Sequence, residues 1–109
     1  MESLKKNAFT PELMFRARLF KALAHPARLA ILEYLAGIRT CMTGDIADVL
    51  PLGRTTVNQH LKALKEAGLI RGTVEGVRTN YCIDPDSMEV LRQEFDNFHQ
   101  AVKTEKCHC

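Results

Sequence analysis

The sequence predicts a small, mainly α-helical fold with a β-hairpin (α+β), in the order α-α-(β)-α-α-β-β-α. Three observations carry this. Apolar residues recur at helical spacing over residues 11–23, 54–67 and 85–103. Proline and glycine punctuate those stretches at Pro26, Gly37, Pro51, Gly53 and Gly68. Two runs with strand character flank a Glu75-Gly76 turn. The chain has 109 residues, 46% hydrophobic and 26% charged, which suits one folded domain and is too apolar for a disordered one. No apolar run approaches the ~20 residues that cross a bilayer, and no leader pattern opens the chain. The expectation is a cytoplasmic protein without a membrane partner.

Each element has its own justification. Residues 1–10 are expected to be a flexible N-terminus. From Pro11 to Leu23, the apolar positions Leu13, Phe20 and Leu23, with Phe15 and Leu19 beside them, suit a helix. His25-Pro26 ends it, because a residue before proline is pushed out of the helical region. Pro26 then opens a second helix to about Ala36, closed by Gly37. Arg39 to Met42, with β-branched Thr40, reads as a brief strand. Thr43 or Gly44 starts a short third helix over Asp45 to Leu50, stopped by Pro51.

Leu52-Gly53 is a tight turn, and Arg54 to Ala67 is a fourth helix. Val57, Leu61 and Leu64 form its buried stripe, and Gly68 takes the left-handed position that closes it. Leu69–Val74 and Val77–Ile83 are the hairpin strands. Asp84 or Pro85 opens the last helix, 85–103. Its Met88, Leu91, Phe95, Phe98 and Val102 alternate three and four residues apart, a continuous seam that asks for a partner. Residues 104–109 are a cysteine-bearing tail.

Two short helices joined by Pro51-Leu52-Gly53-Arg54 and followed by a glycine-tipped hairpin describe a winged helix-turn-helix. A recognition helix must bury one stripe and project hydrogen-bonding side chains into a groove about 12 Å wide. Here Arg54, Thr55, Thr56, Asn58, Gln59, His60 and Lys62 stand off the buried stripe, with Lys65 further along. Asparagine and glutamine can read adenine edges, threonine can meet bases or phosphates, and Arg54 can reach guanine or the backbone. Arg71 and Arg78 flank the hairpin tip, placed to grip phosphates. Residues 53–80 carry five basic side chains against Glu66 and Glu75, whereas 81–109 are net acidic. A basic middle and an acidic end suit a chain that turns one face toward a polyanion. The partner this implies is double-stranded DNA.

Three segments carry a resemblance: Lys21-Ala-Leu-Ala-His-Pro-Ala-Arg-Leu-Ala-Ile-Leu32, Gly44-Asp-Ile-Ala-Asp-Val-Leu50, and Thr56-Val-Asn-Gln-His-Leu-Lys-Ala-Leu-Lys-Glu-Ala-Gly-Leu-Ile70. They resemble the ArsR/SmtB family of bacterial metal-responsive repressors, over roughly Phe15 to Phe98. Gly76 to Tyr81, ahead of Cys82-Ile-Asp-Pro85, resembles that family's wing. The resemblance implies a homodimer through the first and last helices, an inverted-repeat operator, and release by an inducer. An independent argument agrees on the dimer, since a chain this short gains core by pairing.

The cysteines decide what such a regulator would sense. Arsenic sensors resembling this chain often carry Cys-Val-Cys before the third helix, where Met42 and Gly44 stand here, with Cys41 one residue earlier. Zinc sensors place Asp, His and Glu along the last helix, which here offers Asp96 and His99 at other spacing. The remaining candidates are Cys41, Cys82, Cys107 and Cys109. Cys41 and Cys82 are expected on neighbouring strands, either as cross-strand partners or as buried small side chains. Cys107-His108-Cys109 sits on a polar tail and can chelate one soft ion; As(III) and Sb(III) take three thiolates. In an antiparallel dimer the tail of one subunit approaches the other's Cys82 or Cys41.

The expected function is therefore a repressor released by As(III) or Sb(III). A thiol-redox repressor and a Zn/Cd sensor are the alternatives within the class, with zinc or no cofactor. A thiol enzyme or metal carrier is the reading outside it. Nothing favours that last reading, since Cys-x-x-Cys, phosphate-binding glycine loops and nucleophile elbows are missing from the sequence, and no enzyme is expected. Of the histidines, His25 is structural, His60 meets phosphate or caps a neighbour, and His99 faces solvent or the seam.

Overall fold

The computed structural model describes residues 9–38, 46–75 and 78–105. In chain order these form α1 (Pro11–Leu23), α2 (Pro26–Gly37), a single 3₁₀ turn (Ile46–Asp48), α3 (Arg54–Glu66), β1 (Ile70–Glu75), β2 (Arg78–Ile83) and α4 (Pro85–Val102).

Helices α1, α2 and α4 start where a side chain supplies a cap. Thr10 Oγ1 accepts from the Leu13 amide at 3.2 Å, and Pro11 fills the first turn of α1, where no amide hydrogen is needed. His25 does the same for α2: its Nδ1 accepts from Ala27 N at 3.0 Å, ahead of Pro26. Asp84 caps α4 by accepting from the amides of Asp86 and Ser87. At the end of α3, Gly68 adopts φ +80°, which lets its amide reach Lys65 O and the Leu69 amide reach Leu64 O, each at 3.0 Å. That paired closure needs a residue without a Cβ penalty in the left-handed region, and it drops Leu69 straight into the core.

The core gathers Leu19 and Ala22 of α1, Ile31, Leu32 and Leu35 of α2, Ile46 of the 3₁₀ turn, and Val57, Leu61 and Leu64 of α3. Leu69, Ile70 and Leu91 close it from the hairpin and α4. The third helix expected over Asp45–Leu50 is a correction: the described part is a three-residue 3₁₀ turn that buries Ile46. Six residues ended by Pro51 cannot repay the cost of helix nucleation, so the segment tightens around its one apolar anchor. The strand expected at Arg39–Met42 lies outside the described residues.

β1 and β2 pair antiparallel with Ile70 opposite Ile83, Gly72 opposite Tyr81 and Glu75 opposite Arg78. The hairpin base is buried through Ile70, while Val74 near the tip is 69% exposed. Asp84 N donates to Leu69 O at 3.1 Å, which joins the two ends of the hairpin before α4 departs.

α4 lies against α1. Phe20 stacks on Phe95 with ring centroids 4.8 Å apart and meets the edge of Phe98 at 5.7 Å. Arg16 Nε and Glu94 Oε1 pair at 2.9 Å, both side chains largely screened from solvent. Of the seam, Leu91 is buried and Met88 half-buried, but Phe95, Phe98 and Val102 stay 46%, 44% and 54% exposed. The radius of gyration is 17.3 Å, whereas a compact chain of this length gives about 13 Å. The two helices form an arm whose apolar side one chain does not cover.

Candidate nucleic-acid interface

α3 is held from behind and open in front. Val57, His60, Leu61 and Leu64 fall at i, i+3, i+4 and i+7 and are buried. Arg54, Thr55, Thr56, Asn58, Gln59, Lys62 and Lys65 are all exposed on the remaining surface. The helix begins at Gly53 without a side-chain cap. The positive end of its dipole lies at this end of the helix, where an anion such as a phosphate is favoured. Thirteen residues give a helix of about 20 Å, long enough to lie along a major groove.

The hairpin supports the same face. Arg71 on β1 is exposed and stands 4.0 Å from Asp84, a distance that leaves its guanidinium weakly held and able to turn toward phosphate. Arg78 opens β2 opposite Glu75, next to the tip. Gly72, absent from the expected site residues, matters here. A Cβ at this position would lie 3.3 Å from Lys65 Nζ, 3.2 Å from Thr79 and 3.4 Å from the Tyr81 ring. The bare strand lets the Lys65 ammonium settle between recognition helix and hairpin. A glycine inside a strand is the signal that could have marked this close approach.

His60 is a correction. Expected among the DNA-facing residues, it is buried on the inner side of α3, and its Nδ1 accepts from Arg28 Nε at 3.1 Å. Its ring lies 4.3 Å from that of His25. Burial, followed by the nearby His25 and Arg28, holds the His60 imidazole below its ordinary range, so it is kept neutral. Arg28 Nη1 also donates to the carbonyls of Lys21 and Ala22 at 3.4 Å each. Arg28 thus touches α1, α2 and α3 together.

The cysteines divide differently. Cys82 lies on β2 opposite Arg71 and is disulfide-bonded. Cys41, Cys107 and Cys109 lie outside the described residues. Among the described residues no cluster of three or more His, Cys, Asp or Glu could hold a metal ion. Asp96 pairs with Arg92 on the solvent side of α4, and His99 is exposed. No described helix is long and apolar enough to cross a membrane.

A helix-turn-helix domain family matches residues 23–73, which span α2 through β1. The HTH-type transcriptional regulator Rv2034 of Mycobacterium tuberculosis is 41% identical over 87 residues, covering 80% of both chains. A crystal structure of a possible transcriptional regulator for arsenical resistance superposes with TM-score 0.65 and 30% identity, over 78% of this chain and 95% of that one. The homodimeric winged helix-turn-helix domain of Mb0332 from Mycobacterium bovis, a possible ArsR-family regulator, gives TM-score 0.64 and 30% identity over 89% and 90%. The chain belongs to the ArsR/SmtB family of transcriptional regulators. This ArsR/SmtB chain has that family's winged helix-turn-helix fold, the family binds DNA, and its matching members are transcriptional regulators and not enzymes.

Proposed function

We propose that this ArsR/SmtB regulator is a homodimeric repressor that holds an inverted-repeat operator through paired α3 helices and lets go when thiolates capture As(III) or Sb(III). The observation that carries the DNA-binding half is the exposed polar face of α3, from Arg54 to Lys65, on a helix fixed by a fully apolar stripe and one neutral imidazole. Pairing is supported by the uncovered apolar side of the arm. Phe9, Leu13, Met14 and Ala17 line an open hollow of about 310 Å³ on α1. Phe95, Phe98 and Val102 add exposed apolar surface on α4. Surface of this kind on a small domain marks an interface, and two-fold pairing places one reading helix on each half of a palindromic site.

The metalloid half is supported by chemistry. Cys107 and Cys109 bracket His108 on the tail, and soft thiolates suit a soft ion. Each thiol that joins As(III) replaces one hydroxyl, which leaves as water. Once a thiol reductant has opened the Cys82 disulfide by supplying two electrons and two protons, a third thiol from Cys82 or Cys41 completes the pyramid. A solved neighbour is itself described as a possible regulator for arsenical resistance. Release requires that the ion bind the operator-free conformation more tightly than the bound one.

One observation favours a second reading. Cys82 is disulfide-bonded, so oxidation of thiols can itself be the signal. Two thiols then give up two electrons and two protons to the oxidant and form the S–S bond.

The experiment is anisotropy of the reduced protein on a fluorescent duplex enriched from a random-sequence pool, titrated with arsenite, antimonite, zinc and diamide. Stoichiometric release by arsenite or antimonite is expected, and Cys107→Ser or Cys109→Ser should abolish it. Undiminished release from both variants would remove the tail from the site. Release by diamide alone, reversed by reductant, would establish the redox reading instead.

A further inference from the structure

We propose that His60, Arg28 and His25 form a proton-sensitive linchpin that positions the recognition helix: neutral His60 ties α3 through Arg28 to the end of α1, and protonation of His60 unties it. This goes beyond inducer sensing but rests on the DNA-binding reading above.

The geometry sets the polarity of the contact. Arg28 Nε can only donate, so His60 Nδ1, 3.1 Å away, must carry a lone pair. A protonated imidazole has hydrogen on both nitrogens and no acceptor left. The same guanidinium reaches Lys21 O and Ala22 O through Nη1. Arg28 therefore spans from the last turn of α1, the helix of the dimer arm, to the inner face of α3.

The surroundings make the charged form costly. His60 is the one buried polar residue among the described core positions. Two titratable or charged groups face it: His25 at the α1–α2 junction, with ring centroids 4.3 Å apart, and Arg28 from α2. The other elements packed against α3 bring apolar residues to the shared core: Leu19 and Ala22 from α1, Ile46 from the 3₁₀ turn, and Ile70 from β1. No described carboxylate pairs with His60. A proton there would meet a guanidinium and a second imidazole with nothing to offset it, and burial keeps the group below its ordinary range for the same reason.

The consequence has a distinctive sign. Acidification ordinarily strengthens DNA binding, because imidazoles gain positive charge beside phosphates. Here the operator-competent conformation requires neutral His60, so acid weakens binding. By linkage, the bound state must hold fewer protons at His60 than the free state.

The test is operator affinity against pH for the full chain in reductant, on the enriched duplex, with the His60→Asn variant alongside. Asparagine keeps an acceptor, Oδ1, near the position of Nδ1 but takes no proton. Wild-type affinity is expected to fall as pH drops from about 7.5 to about 5, by less than the roughly tenfold that an unperturbed imidazole would give at about pH 5.5, while His60→Asn shows no such fall. Tighter wild-type binding in acid, or an equally steep loss in His60→Asn, would overturn the proposal. A second measurement covers a variant that does not fold. In the wild-type protein, the NMR titration midpoint of the His60 imidazole should move down when duplex is added, and an unchanged or raised midpoint overturns the proposal. Failure to bind duplex at the higher pH would instead defeat the functional reading itself, and this inference with it.

Discussion

Leu13→Glu combined with Val102→Glu leaves a folded monomer that has lost the operator. Both residues are exposed in the single chain, at 43% and 54%, so neither change leaves a hole in the core or buries a charge within the protomer. In the dimer the two new carboxylates would enter the apolar seam of α1 and α4, where an unpaired charge costs roughly several kcal/mol. Sedimentation should show the monomer, with helical circular dichroism unchanged. Operator affinity should fall by roughly 10²–10⁴, the gain that linking two half-site contacts confers. A variant that remains dimeric would show that pairing uses another face.

The second large effect comes from the reading face. Asn58→Ala and Gln59→Ala remove two exposed amides from the middle of α3 without touching Val57, Leu61 or Leu64. A bidentate amide–adenine contact is worth about 1–3 kcal/mol of discrimination, so each variant should lose roughly 5- to 150-fold on the enriched duplex. Binding to random duplex should barely change, because the basic side chains Arg54, Lys62, Lys65 and Arg71 proposed to meet phosphate are untouched. Competition between the two duplexes separates the effects. Equal losses on both would mean that these residues position the helix without reading bases.

Much of this architecture is legible in the residues. Helix α2 is marked by proline in its first turn, and the Gly68 closure of α3 by a lone glycine after an amphipathic run. The hairpin and the Asp84 cap of α4 are equally local signals. What stayed hidden depends on distant partners. His60 falls three residues after Val57 and four before Leu64, so its helical period already puts it on the buried side. Its exposed-looking chemistry pointed the other way until Arg28, 32 residues earlier in the chain, supplied the hydrogen bond. Gly72 carries the signal of a glycine inside a strand, but its reason, Lys65, reaches it from α3 and is visible only in three dimensions. The seam of α4 divides only in three dimensions: Phe20 covers part of Phe95 and Phe98, while Val102 stays exposed. The short segment before α3 read as a helix because its pattern fits one, but six residues are too few to sustain it.

The most direct test of the account is duplex binding by the reduced wild-type protein, followed by anisotropy as salt is raised. Paired recognition helices with basic wings predict tight binding at low salt and a steep linear fall of log affinity with log salt, each phosphate contact contributing about −0.9 to the slope. Specific duplex should outcompete random duplex throughout. No complex on any duplex at low salt would contradict the central claim and leave α3 an ordinary solvated helix.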